Sequence, residues 1–293
     1  MYDIKALYEA TSVADAVSLL VAHPEAKIIA GGSDVLIQIR EGRLAGCELV
    51  SIYKLDELRG VSLDADGTLR IGPLTSFSHI TKDPLIRQII NVLGEAVDMV
   101  GGPQVRNIGT IGGNTCNGVT SADSASTLHA WDAVMEVTGP NGVRQLPIKE
   151  FYIWAGEVAL QPGELLTAIL IAKESYEGYV GHYIKYAMRN AMDIATTGCS
   201  VNVKLSADKK TIEDARIAYG VAGPVPMRAP SAEAAVKGLP VSQATVEAFG
   251  EAVLKDVNPR TSWRASKELR LQLAQELAKR ALARSIQLAG GDI

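Results

Sequence analysis

The chain has little cysteine. Cys47, Cys116 and Cys199 are scattered along 293 residues. They form no CxxC pair and no four-ligand set, which excludes an iron–sulfur cluster or structural zinc held by this chain alone. An odd, dispersed count also argues against a disulfide framework. Basic runs are missing as well. With 29 Lys and Arg against 33 Asp and Glu, the net charge is −4 and the pI about 5.7, so no nucleic-acid partner is expected. No apolar run is long enough to span a membrane, and the opening Met1-Tyr2-Asp3-Ile4-Lys5 lacks the apolar core of a signal peptide. These absences lead us to expect a reducing, cytoplasmic setting without a membrane. The histidines His23, His79, His129 and His182 share no ligand spacing and read as local or core residues, so no metal site is expected. Neither GxGxxG nor a P-loop signature occurs, which weighs against a Rossmann dinucleotide site and an ATPase. There are no internal repeats.

What is present is an apolar fraction of 47%, ordinary for a globular protein with more than one modest domain. Ser12 reads as the N-cap of a helix to Ala22, with Asp15 as its capping acid. Lys27 to Ala30 reads as a short strand running into Gly31-Gly32, and Leu49 to Ile52 as a second strand. A hairpin is expected around Asp64 to Gly67, and another at Asn141-Gly142, joining strands Ala130–Thr138 and Gly142–Leu146. Pro84 suits the first turn of a helix running through Leu93 towards Met99. Leu165 to Ile171 reads as a strand. The polar connection Lys173 to Gly181 reads as a domain boundary. Beyond it lie strands at Tyr183–Tyr186, Ser200–Leu205 and Ala215–Val221, then helices at about Ser242–Val257 and Ala265–Leu288. Val201 and Val203 alternate with Asn202 and Lys204, the pattern of a half-buried strand.

Two glycine-rich stretches carry the chemistry. The first is Ala30-Gly31-Gly32-Ser33-Asp34. A backbone bare of Cβ atoms permits close approach of a ligand, and successive N–H groups in such a turn can form an anion nest. Asp34 would orient the loop by accepting local N–H groups. The second stretch holds Gly109, Thr110, Gly112, Gly113 and Asn114, and runs on through Thr115, Asn117 and Thr120 to Ser121 and Asp123. Its short polar side chains suit a diphosphate or a ribityl chain. Together the stretches read as two loops gripping one pyrophosphate, although a tight turn and a glycine-lined packing surface account for each of them without a ligand. Cys116 reads as a loop filler. Asp83, Asp123 and Asp132 form no legible acid–base pair, so no catalytic residue is assigned. Trp263 and Arg264 read as packing and capping residues near a subunit surface.

The segments IAGGSDVLIQ, GGPQVRNIGTIGGNTCNGVTSADSA and SWRASKELR resemble the FAD-binding subunits of the molybdenum hydroxylase family, over essentially the whole chain. Within that family the resemblance is nearest to the separate FAD subunits of bacterial xanthine dehydrogenases, with those of nicotinate dehydrogenases as the near alternative. It implies an α+β fold. A two-part FAD-binding domain of the PCMH or vanillyl-alcohol-oxidase type would span residues 1–175, with parts at about 1–59 and 60–175. A carbon monoxide dehydrogenase flavoprotein-like C-terminal α+β domain would span 176–293. It implies FAD contacts from Ile29, Ala30, Gly31, Gly32, Ser33 and Asp34 in the first loop. Thr110, Gly112, Gly113 and Asn114 would follow in the second, completed by Ser121 and Asp123. Val100 stands where animal members place an aromatic residue against the isoalloxazine, and would cover the ring without stacking on it. Ile169 would line the flavin or adenine pocket. Lys185 would reach the flavin's polar edge, whereas residue chemistry alone reads it as a solvent-facing strand lysine. Tyr186, Arg189 and Asp193 would support the site or an interface.

The same resemblance implies an electron-transfer role. Electrons would arrive from a small partner subunit with 2Fe–2S clusters, a large molybdopterin-binding subunit would hydroxylate the substrate, and NAD⁺ or a similar acceptor would take the electrons. A dimer of heterotrimers is the implied assembly. The rival expectations are a stand-alone flavin oxidoreductase, which would need a substrate-directed acid–base pair in the C-terminal domain, and a binding protein that has lost its cofactor.

Overall fold

The computed structural model describes residues 2–293. Strands Ile4–Glu9, Cys47–Ser51 and Lys27–Ile29 form a three-stranded parallel sheet with Cys47–Ser51 in the middle. The first strand went unread because its side chains are mostly exposed and Leu7 interrupts the alternation of Ile4, Ala6 and Tyr8 with Lys5 and Glu9. Helix Val13–Ala22 is capped as expected, the Ser12 hydroxyl accepting the Asp15 N–H at 3.0 Å. The Asp15 carboxylate reaches back to the N–H and hydroxyl of Thr11, at 2.8 and 2.9 Å, so the capping box closes one residue early. Ala16 and Leu20 of this helix pack on Val50 and Ile52 in a small core shared with Leu74 and Leu165.

A five-stranded antiparallel sheet follows, in the order Val61–Leu63, Leu69–Ile71, Leu165–Ile171, Val134–Gly139, Gly142–Pro147. Both expected hairpins form, with φ +86° at Gly67 and +100° at Gly142. The strand expected from Ala130 begins four residues later at Val134, because Ala130 ends a helix, Asp123–Ala130. The helix expected from Pro84 towards Met99 is two helices, Pro84–Ile89 and Asn91–Asp98. They part at Ile90 (φ −138°, ψ 51°), whose side chain is fully buried. The second glycine-rich stretch is largely helical rather than a loop, with short helices Pro103–Ile108 and Ile111–Cys116.

The remaining chain builds a four-stranded antiparallel sheet, Val180–Tyr186, Thr197–Leu205, Ile212–Gly220 and Met227–Arg228. Helices Pro230–Val236, Gln243–Ala252 and Lys267–Leu288 share one core with it. Asn91–Asp98 and Asp123–Ala130, from the earlier part of the chain, also pack on this sheet. The strand Thr197–Leu205 is therefore buried on both faces, which corrects the half-buried reading. Val201 and Val203 face the long helix, while Asn202 is fully buried and donates to the Ala130 carbonyl at 3.1 Å.

Candidate functional site

The strand Lys27–Ile29 ends in the first glycine stretch, which leads into helix Val35–Arg40. Ligands of parallel sheets gather at the carboxyl ends of strands, where loops are free to face them. A cleft of about 880 Å³ opens there, between the parallel sheet and the five-stranded sheet. That volume is within the ordinary range for small-molecule and cofactor sites. Ala30 to Asp34 form one wall, and Thr110, Gly112, Gly113 and Asn114 another. Val100 and Phe77 cover one side, and Leu160 to Leu166 run along the other.

The two glycine stretches touch. A Cβ on Gly31 would stand 1.9 Å from the carbonyl oxygen of Ile108, so a residue with a side chain there would push the walls apart. A Cβ on Gly112 would meet Pro73 at 2.3 Å. Gly32 sits at φ +70°, the left-handed geometry that a nest of N–H groups uses. The walls differ in chemistry. Among the described residues, no protein acceptor takes the backbone N–H groups of Gly31, Gly32, Ser33 or Asp34. In the second stretch the Gly112 N–H is spent on the Pro73 carbonyl, the Gly113 N–H on the Thr110 hydroxyl and the Asn114 N–H on the Thr110 carbonyl. One wall therefore presents free backbone donors, and the other a bare surface with short side chains. Asp34 makes no cap bond to a backbone N–H. It accepts from the Gln38 side chain instead, which corrects the expected loop-orienting role.

Val100 is held from two sides. Arg106 donates to the carbonyls of Val100 and Gly101 at 3.1 and 3.2 Å and pairs with Asp98 at 3.2 Å. Lys185 donates to the neighbouring Met99 carbonyl at 3.1 Å. The Lys185 ammonium is not solvent-facing: its side chain is 8% exposed and pairs at 2.8 Å with Asp123, itself 7% exposed. Strand alternation puts Tyr183 on the same face as Lys185, and its hydroxyl donates to Asp123 at 2.7 Å. Burial pushes the Asp123 carboxyl up, against the pull of Lys185 and Tyr183. Asp123 and Lys185 lie beside the cleft and not among its lining residues.

Three other expected contacts also fall outside the lining. Ile29 ends its strand, its carbonyl accepting the Ile52 N–H. Ser121 is half-buried in the turn before Asp123–Ala130. Ile169 is fully buried between Ile71 and Met135 in the five-stranded sheet. Asn117, read as one of the short polar side chains of the second stretch, does line the cleft. Sequence reasoning missed Phe77, Pro73 and Glu164 in the walls, and Tyr183 behind them. Only Tyr183 carried a signal, its two-residue spacing from Lys185. Cys116 lines the cleft, where burial pushes its thiol up to about 12, the state of an unreactive side chain. The lining carboxylates are Asp34 and Glu164, and Glu164 is committed to Arg144 at 2.7 Å. The cleft thus offers no free acid–base pair, and among the described residues no cluster suits a metal ion. No helix among them is long and apolar enough to cross a membrane.

Residues 2–173 match the FAD binding domain in molybdopterin dehydrogenase, and residues 182–285 the CO dehydrogenase flavoprotein C-terminal domain. The chain belongs to the FAD-binding subunits of the molybdenum hydroxylase family. It is 42% identical, over the full length of both chains, to the xanthine dehydrogenase FAD-binding subunit of Escherichia coli O157:H7. It is 31% identical to the nicotinate dehydrogenase FAD-subunit of Eubacterium barkeri, over 75% of each chain. Its fold matches a chain of carbon monoxide dehydrogenase from Hydrogenophaga pseudoflava with a TM-score of 0.92 and 28% identity, over 99% of each chain. The cleft suits the family's cofactor: free N–H donors and a left-handed glycine fit a diphosphate, and the apolar flanks fit flat rings.

Proposed function

We propose that this chain is the flavin station of a xanthine or related purine dehydrogenase. It would receive electrons from 2Fe–2S centres in a small partner subunit and pass them to NAD⁺ or a similar acceptor, while a large molybdopterin-binding subunit hydroxylates the substrate. The assembly would be a dimer of heterotrimers. The full-length 42% identity to a xanthine dehydrogenase FAD-binding subunit carries this reading. The nicotinate dehydrogenase relative is less similar and matched over less of its length, so we place purines before other N-heteroaromatics. FAD would supply the redox chemistry.

The chain's own residues would bind and orient. The N–H groups of Gly31 to Asp34 would hold the diphosphate, with Thr110, Gly112, Gly113 and Asn114 opposite, and Ala30 and Val100 would close against the cofactor. Asp123 and Lys185 would support the flavin's polar edge, with Ser121 beside them; Ile29 and Ile169 would act through the strands that carry this wall. We assign residues 1–175 to the FAD-binding unit, in parts of about 1–59 and 60–175, and 176–293 to the C-terminal flavoprotein unit. The test is isolation of the assembled complex and measurement of xanthine-dependent NAD⁺ reduction. Activity with nicotinate and none with purines would overturn the substrate reading. Rapid reduction of the isolated chain's flavin by an organic substrate would overturn the subunit reading.

A further inference from the structure

The segment that opens the last helix takes no part in the cleft. It runs from Arg260 through Ser262, Trp263 and Arg264 to Arg270. Arg270 is only 3% exposed. Its guanidinium donates to the Arg260 carbonyl at 2.5 Å and the Ser262 hydroxyl at 2.8 Å, while its Nε has no partner. The Nε of Arg264 is likewise buried without a partner. Burial and the like charges of Arg260 and Arg264 hold the Arg270 guanidinium below its ordinary range. Elsewhere in this chain the partly buried arginines Arg70, Arg106, Arg144, Arg216 and Arg228 each meet a carboxylate. Among the described residues, none meets Arg260, Arg264 or Arg270. Arg270 is buried, Arg264 half-buried and Arg260 exposed at the mouth of the corner. A buried charge such as that of Arg270 is costly without a counter-ion unless something outside the chain supplies one.

Trp263 adds an apolar surface to this charge. It is 77% exposed, and the Arg264 guanidinium lies over its ring at 4.2 Å. An exposed tryptophan beside arginine is the composition of protein interface hot spots, where the aromatic ring needs a large covering surface. A free small anion would neutralise the arginines and leave that ring in water.

We propose that this corner docks an acidic segment of a partner subunit, one carboxylate side chain entering among Arg260, Arg264 and Arg270 while the partner's surface covers Trp263. The inference rests on the reading that the chain works in an assembly. Three guanidiniums without a carboxylate call for an acidic partner. Trp263 supplies the buried area, and Arg270 fixes the shape of the turn by holding Arg260 and Ser262.

The test is association of the purified FAD-loaded chain with the purified molybdopterin-binding and 2Fe–2S chains, followed at low and high salt. Wild type should bind one of them, more weakly as salt rises. The double variant R260E/R264E should lose at least about tenfold in affinity together with most of that salt dependence, and W263A should lose affinity at every salt concentration. FAD content and thermal midpoint of the isolated variants should match wild type, which separates docking from folding. Variants that bind like wild type, with the same salt dependence, would overturn the docking surface and leave the flavin assignment standing. Wild type that binds neither chain would overturn the docking surface together with the reading that the chain works in an assembly. Self-association lost in W263A would replace the acidic partner with a second copy of this chain.

Discussion

Gly31 has no room for a methyl group, since the Ile108 carbonyl lies 1.9 Å from where a Cβ would stand. The Gly31→Ala variant should force the two cleft walls apart. We expect a loss of about 1–3 kcal/mol in stability and a larger loss of bound FAD, read from a denaturant melt and the flavin absorption of the purified chain. Asp123 and Lys185 make a second residue-scale case. Removing one partner leaves the other as an unpaired buried charge. Lys185→Met or Asp123→Asn should each cost about 3–5 kcal/mol, and the double variant less than the sum of the two. A double-mutant cycle by urea unfolding checks this, and strict additivity would show that the pair does not act as a unit. His129 supplies the pH dependence. Burial lowers its pKa from 6.5 to about 4, and its Nδ1 lies 2.8 Å from the Ala125 carbonyl. The folded state therefore holds the ring neutral. The associated stability is complete above pH 6.5 and is lost as acid protonates the unfolded chain between pH 6.5 and about 4. This one residue should remove roughly 3 kcal/mol over that window, and His129→Gln should flatten the slope in melts taken across it.

At the scale of elements, the parts that were legible were those with a clear period or a clear turn. Ser12 marked a helix start, Gly142 a hairpin, and Leu165 to Ile171 a strand, because capping and turn geometry are local. The helix Asp123–Ala130 was not legible, because all eight of its residues are buried and a helix covered on every side has no amphipathic stripe. Helix Ile111–Cys116 was hidden by Gly112 and Gly113, which are poor helix formers. What holds it is tertiary: Thr110 caps it, its first N–H groups bond to Thr75 and Pro73, and Ile111 is fully buried. Thr110→Ala should cost about 1 kcal/mol through the lost cap, and should weaken FAD binding as that wall loosens. A variant with full FAD affinity and reduced stability would confine Thr110 to a structural part. The cleft itself was legible in the glycine spacing. The burial of Lys185 was not, because it depends on a helix more than fifty positions earlier folding over its strand face.

In the whole molecule, the cleft lies between two sheets, and the third sheet buttresses it from behind through Lys185, Tyr183 and Asp123. A ligand that fills the cleft should therefore stabilise the chain as a body. Free FAD at a hundred times its Kd should add about 2.7 kcal/mol to unfolding, visible as a raised thermal midpoint that adenosine monophosphate reproduces only in part. The central claim is that the two glycine walls hold FAD. Its most direct test is the flavin absorption spectrum of the purified chain, reconstituted with FAD, beside that of the Gly32→Val variant, whose branched side chain is strained at φ +70°. The wild-type protein should be yellow with one FAD per chain, and the variant should fold and hold little or none. A colourless wild type after reconstitution, or a variant that retains its full flavin, would contradict that claim.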